Sequence, residues 1–408
     1  MKPLRALAIL IFAQMLPATL VTAAIRPLFA AHHGGDEGAM HAFMAINMLA
    51  AALAAPFVGP RLARTGRAGC WLGALALLDA VLLLACAQPW PTSVVLGVRA
   101  LEGAVHVSVA TALCALAATR VKALGRPALM GVIGGAIMAA IALGNLLGGA
   151  LVGITPAAPF AAGALIATAV AAALALGAGG ALAAPPMTAE LAPPALAPVT
   201  APRRSLAPVL LGAFVARFTV GCLVVTFALF AHRVHGLSDR AIGGLFAALT
   251  VPFALATWPA AQLASRLGRA RVLAIGGAGW MLVLFALPAA PTAALPALMM
   301  IGGLASAAIF AVTLGYATAP ADAQVRARAI ARFQTAGALG MVVGPMAAGI
   351  TAAIAGRGVA GDRAAFVLAG CAMAAWLVAS AGWLLRAAAS ERATAPASRA
   401  PSAAASPR

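Results

Sequence analysis

Residues 91–118 read PTSVVLGVRALEGAVHVSVATALCALAA. The stretch is longer than the roughly 20 residues that carry a helix across a bilayer core, and its only acidic, basic or histidine side chains are Arg99, Glu102 and His106. Residues 291–317, PTAALPALMMIGGLASAAIFAVTLGYA, open on the same Pro-Thr step 200 positions later. Comparable apolar runs lie on either side of both. Across the 408 residues 63% are apolar and 9% charged, where a soluble chain carries about a quarter charged residues. The chain therefore reads as an all-α polytopic membrane protein. Spans are predicted near 5–25, 39–60, 70–88, 93–118, 128–152 and 160–180, then 207–231, 240–261, 272–288, 293–317, 330–354 and 364–385.

These twelve spans divide into two six-helix bundles, 1–180 and 206–386. Between them residues 181–205 hold Pro185, Pro186, Pro193, Pro194, Pro198 and Pro202, a linker too rich in proline for a helix. The tail 387–408 is rich in Ala, Ser, Pro and Arg and is expected to be disordered. The offset near 200 recurs outside the Pro-Thr step: Gly144 and Gly149 of the fifth span match Gly344 and Gly349 of the eleventh. A duplicated helical unit with a site between its halves near the midplane is a common design of secondary transporters.

The net charge of +18 could suggest nucleic acid, but its placement argues otherwise. Of the 27 basic residues, twenty fall on the side of the N-terminus, five on the other side, and Arg99 and Arg217 inside spans. That asymmetry is the positive-inside pattern, so both termini are expected in the cytoplasm and no nucleic-acid partner is expected. The Arg-over-Lys bias with excess Ala, Gly and Pro fits a GC-rich bacterial genome, hence an inner membrane. Five cysteines lie in or beside apolar runs without metal-ligand spacing and read as packing residues. His32, His33, Asp36 and Glu37 form a loop with metal-capable side chains, but one Gly-rich loop is poor support for a metal site, and none is expected.

On a helix Arg99, Glu102 and His106 project from one narrow sector. Intramembrane charges face partners or a wet cavity, and histidine titrates near cellular pH. At the duplicated positions stand Met299, Gly302 and Ser306, so the charge is concentrated in the first half. Asp79, in the third span, reads equally as a local hydrogen-bond partner or as part of a proton relay. Arg217 of the seventh span faces an acidic stripe, a substrate anion, or snorkels to the membrane face. Gln14, Asn47, Thr313, Tyr316 and Gln334 are polar groups for a substrate cavity or for helix-to-helix bonds.

Several motifs resemble those of the major facilitator superfamily, and the resemblance runs from about residue 5 to 385. The loop after the second span, with Gly59, Arg61, Arg64, Gly66 and Arg67, is similar to the family's cytoplasmic loop motif, and Arg266, Gly268 and Arg269 repeat it. The family's aspartate is replaced by Ala63 and Ser265, so gating through that residue is not carried over. Arg99 to Gly103 resembles the family's Arg-x-x-x-Gly proton-transfer motif. Gly144, Asn145, Gly148 and Gly149 resemble the glycine-rich motif of its exporters, with Asn145 where proline is usual; Gly344-Pro345 keeps that step in the eleventh span.

The resemblance implies a major facilitator fold with two pseudo-symmetric bundles, and a monomeric transporter of the efflux branch. It would export a small organic molecule in exchange for protons, with membrane lipids around it and no cofactor beyond the proton gradient. Glu102, His106, Arg99 and Asp79 are the proton-coupling candidates. The alternative is a proton symporter importing an organic anion, with Arg99, Arg217 and Arg26 as binding charges. No catalytic residue is expected: a membrane enzyme would need clustered acids or histidines at a membrane surface, and the inner loops are basic, Asp322 excepted. A sensor built on a transporter body would bind without flux.

Overall fold

The structure, a computed structural model, describes residues 2–62, 68–120, 126–177, 206–319 and 323–393. Helices α1 (Lys2–Leu20) and α2 (Ile25–His32), joined by a 3-10 turn at Val21–Ala24, make the first span. The next five are α3 (Glu37–Leu62), α4 (Ala68–Cys86), α5 (Thr92–Arg120), α6 (Arg126–Val152) and α7 (Ala158–Ala175). The second half holds α8 (Ala207–His235), α9 (Asp239–Leu267), α10 (Arg269–Ala286), α11 (Leu295–Thr318), α12 (Ala323–Ile354) and α13 (Gly358–Ala393). Among the described residues twelve helical segments are long and apolar enough to cross a membrane. Below, the face on which α1 begins is the terminal face and the opposite one the far face.

Local chemistry sets the helix limits. Pro17 removes a backbone donor inside α1 and precedes the tighter turn at 21–24. Ser238 caps α9 by accepting the Ala241 N–H at 3.3 Å, and α9 ends at Gly268, whose φ of 95° lies where a side chain is strained. The last helix differs from expectation: it continues past Arg386 to Ala393, with Ala387 and Ala388 packed on the second-half core and Glu391 accepting a hydrogen bond from Tyr316 at 3.0 Å. The linker 181–205, residues 394–408 and the loop residues Arg64, Gly66 and Arg67 lie outside the described residues, and Gly59 is described only as backbone of α3.

Leu165, Leu255 and Val378 are at least 72% exposed, as expected of surface that meets lipid. Inward faces form separate cores. One in the second half is built around Trp280, Trp376, Phe227, Phe230 and Phe366. In the first half one core gathers Leu7, Leu72, Val109 and Leu174. A second core, nearer the far face, gathers Phe29, Phe43 and Phe160 and takes in Val225 and Leu229 of α8.

The halves meet where α6 packs on α9 and α3 on α12. The 200-residue repeat exchanges these two contacts, so they are related by the pseudo-two-fold axis. Both are tight near the far face. A Cβ at Gly149 would lie 2.8 Å from Gly243 Cα, and one at Gly349 would lie 3.0 Å from His41 Cβ. Salt bridges reinforce this end. Arg26 holds Asp239 in a bidentate pair (2.7 Å to each oxygen), and Arg233 binds Glu37 of the first half and Asp362 of the second, the latter at 2.9 Å. The repeat also shows at this face in a pair of histidines: His33 meets Thr92 at 3.4 Å and His235 meets Thr292 at 2.9 Å, each through Nδ1.

Candidate functional site

Four helices of the first half place six polar side chains in one buried network. Helix α5 supplies Arg99, Glu102 and His106, α1 supplies Gln14, α3 supplies Asn47 and α4 supplies Asp79; none is more than 5% exposed. Arg99 Nη1 donates to Glu102 Oε2 at 2.6 Å, and Asn47 Nδ2 donates to the same oxygen at 2.7 Å. The guanidinium also lies 4.7 Å from the Phe43 ring centroid, a cation-π distance. One turn along, His106 Nδ1 lies 2.9 Å from Asp79 Oδ2, which accepts from Gln14 Nε2 at 3.0 Å. With Asp79 ionised, Nδ1 carries the proton and donates, and Gln14, 3.3 Å from that nitrogen, gives its own hydrogen to the carboxylate.

Gly103 makes the arrangement possible. A Cβ there would lie 2.4 Å from the Asn47 carbonyl oxygen and 2.5 Å from Asn47 Nδ2, so only glycine lets α3 bring its amide onto Glu102. The Arg-x-x-x-Gly spacing thus has a packing cause in this chain: the arginine pairs with Glu102 and the glycine admits the amide that shares it.

The stripe read from the sequence is therefore one network with two centres, Glu102 with Arg99 and Asp79 with His106. Asp79 is fully buried inside the bundle. With His106 neutral the network holds two carboxylates and one guanidinium, so a single added proton makes it neutral. Burying net charge in a medium of low dielectric is costly, which ties the proton count to the surroundings. Gln14 Oε1, Asp79 Oδ1, Arg99 Nε and His106 Nε2 are buried without a partner. These atoms leave the network free to rearrange its bonds, or to take up a proton or a water.

The ligating atoms of Asp79, Glu102 and His106 all lie within 4.8 Å of one another, a spacing that suits a metal ion. The donor set does not. Each bound carboxylate oxygen already accepts two N–H groups, and the guanidinium 2.6 Å from Glu102 would repel a cation. In the far-face loop the side chains are also engaged: His33 with Thr92, Asp36 as an acceptor for the Ala39 N–H, and Glu37 with Arg233.

Of the groups expected at a substrate cavity, Gln14 and Asn47 belong to this network. Thr313 is 1% exposed and bonds to its own helix at Ile309 O (2.7 Å). Tyr316 lies beside Trp383 at a ring distance of 5.2 Å, with Arg269 over its face, and braces the terminal end of α13 through Glu391. Gln334 is exposed on α12. Arg217 does not meet the acidic stripe; its guanidinium carbon lies 5.7 Å from the Phe310 ring.

The glycine run of α6 lies against α1 and α9. A Cβ at Gly144 would meet Thr19 Oγ1 at 2.0 Å and one at Gly148 would meet Leu20 O at 2.3 Å, while Asn145 is 7% exposed and sets its carbonyl beside Gly243. In α12, Gly340 and Gly344 repeat this against α8, and Pro345 packs on Gly221. Arg266 is exposed at the terminal end of α9. Sequence reasoning missed Arg233, Asp239 and Asp362 as inter-helix ties. The available signal was that, in a chain with nine acids, Asp36, Glu37, Asp239 and Asp362 all lie at the far-face ends of spans.

A comparison with curated protein sequences gives no match. Solved structures do match in shape. A bacterial homolog of the human lysosomal transporter Spinster, inward-facing and unoccupied, superposes with a TM-score of 0.74 at 15% identity, over 96% of this chain and 97% of that one. The nucleoside transporter NupG gives 0.72 at 13% identity, over 96% and 99%. At such identity these similarities show the fold alone. The sequence profile of the Major Facilitator Superfamily matches residues 7–206 and 209–407, nearly the whole chain. With twelve candidate spans and that match over both halves, the protein is a multi-pass membrane transporter of the Major Facilitator Superfamily.

Proposed function

We propose that the protein is a proton-coupled exporter of a small organic molecule, working by alternating access in the bacterial inner membrane with both termini in the cytoplasm. The observation that carries the reading is the buried network of Gln14, Asp79, His106, Arg99, Glu102 and Asn47. A fixed ion pair would satisfy Arg99 with Glu102 alone. The added Asp79–His106 centre supplies an imidazole, the side chain whose charge changes most readily near neutral pH, against a carboxylate in the same core. Taking up a proton here changes which hydrogen bonds the four helices can make, and so weights one arrangement of the halves over another.

The Gly144–Gly149 run supports export, since it resembles the exporters' motif and lies where α6 approaches α1 and α9. The import alternative has lost two of its three binding charges: Arg26 is held by Asp239 and Arg99 by Glu102. One chain contains both halves and the whole network, which fits a monomer, and the coupling needs protons and no cofactor.

The test uses purified protein in liposomes loaded with a pH-sensitive dye, challenged with pooled small organic solutes and an imposed pH gradient. At least one solute is expected to move against a proton flux, and Glu102→Gln should uncouple the two. Solute flux without proton movement, or the same pH dependence in Glu102→Gln, would overturn the reading.

A further inference from the structure

The charged side chain in the interior of the second half is Arg217. Among the described residues it makes no hydrogen bond or ion pair. It lies ten residues into α8, about 15 Å from the helix start. A guanidinium cannot shed its charge there, and such a group inside a membrane is costly unless something answers it. Arg99, the buried cation of the first half, is answered by Glu102.

The side chain is nevertheless held in place. Its stem runs along a glycine strip of α12: a Cβ at Gly340 would lie 3.1 Å from Arg217 Cβ, and one at Gly337 would lie 3.3 Å from Cγ and 3.6 Å from Cζ. Larger residues at either glycine would displace it. Its head lies over Phe310, which packs against Phe253 at 5.7 Å and Phe333 at 6.2 Å between ring centroids. The side chain leans by about one turn toward the terminal face. It stops beside Gly337, roughly 13 Å inside a span that begins at Arg328, so it does not reach the membrane surface. The residue is half-buried, and among the described residues its guanidinium N–H donors have no acceptor.

We propose that Arg217 binds the anionic group of the transported molecule, a carboxylate or phosphate borne on an apolar or aromatic body. The planar donor fork suits an oxyanion, and the Phe310 wall suits the body next to it. The inference rests on the transporter reading and adds its substrate class; it holds for either direction of transport. The same chemistry is offered by a free organic acid and by an anionic lipid headgroup.

The test measures equilibrium binding to the full-length protein in phosphatidylcholine nanodiscs, with no proton gradient. The probes are benzoates, naphthoates and aryl phosphates, each beside its neutral amide or methyl ester. Acids should bind at least about tenfold more tightly than their neutral partners. Arg217→Gln should erase that preference and Arg217→Lys should keep part of it. The inference is overturned if neutral partners bind as well as acids, if Arg217→Gln keeps the preference, or if no acid in the panel binds the wild type. Should Arg217→Gln fail to fold, the acid-against-ester comparison on wild type decides. Nanodiscs with added phosphatidylglycerol separate the two sources: loss of acid binding points to a lipid anion and retention to a solute, and either supports an anion site. Because no gradient is applied, Arg217-dependent binding stands even if proton coupling fails in liposomes, and coupling stands if only this binding fails.

Discussion

Replacing Arg26 and Arg233 together by glutamine removes the salt bridges that tie the two halves at the far face. Arg26–Asp239 is bidentate at 2.7 Å to each oxygen, with side chains 16% and 19% exposed; Arg233 (24%) binds Glu37 (17%) across the halves and Asp362 within its own half. Such exposure leaves Asp239 and Glu37 hydrated once their partners are gone; Asp362, 1% exposed, loses its partner within its own half, a cost carried in both the far-open and the far-closed state. Exposed pairs contribute about 0.2–1 kcal/mol, and hydrogen bonds to charged groups about 1.5–3 kcal/mol. About 1 kcal/mol for each of the two cross-half pairs is a fair value, giving about 2 kcal/mol in favour of the far-closed state. That corresponds to a roughly 30-fold rise in the ratio of far-open to far-closed molecules. Spin labels at Gln88 and Ala355, exposed at the far ends of the two halves, with exposed Cys70 and Cys371 replaced, would report the population as a distance distribution. An unchanged distribution in the double variant would show that the clasp does not set the closed state and would refute the reasoning.

Gly103→Ala should be poorly tolerated, because its Cβ would collide with the Asn47 backbone as well as its amide. Overpacking of about 1–3 kcal/mol plus loss of the Asn47–Glu102 bond predicts a clear fall in thermal stability that Asn47→Ala repairs only in part; full repair would place the clash in the side chain alone. His33 lies beyond the first span, and burial, then its neighbour His32, lower its pKa below 6.5. The fold thus prefers the neutral ring and the unfolded chain protonates first, so stability present above that value is lost as pH falls through it. Thermal unfolding from about pH 7 to about pH 5 should fall more steeply in wild type than in His33→Gln; parallel profiles would dismiss the effect.

The twelve spans were legible because bilayer thickness imposes a length and composition that hydropathy reads directly. The contact of Arg99 with Glu102 followed from helical spacing. Their tie to Asn47, and that of His106 to Asp79, did not, since the partners come from other helices and spacing within one helix says nothing of its neighbours. The length of α13 was missed because an Ala/Ser/Arg-rich stretch has no hydropathy signal, and what holds it, the packing of Ala387 and Ala388 on the second-half core and the bond from Tyr316 to Glu391, depends on residues distant in sequence. The clasp was hidden for a related reason. Arg26 and Asp239 are 213 positions apart, and only the docking of the halves brings them together.

The central claim is that protonation of the Asp79–His106–Glu102 network shifts the balance between the two halves. It is tested most directly without any substrate, by following the Gln88–Ala355 label distance in proteoliposomes as a function of pH. The account predicts a distribution that changes across the range near neutrality in wild type and becomes pH-independent when Glu102→Gln and His106→Gln are combined. A wild-type distribution that ignores pH, or a pH response that survives in the double variant, would contradict it.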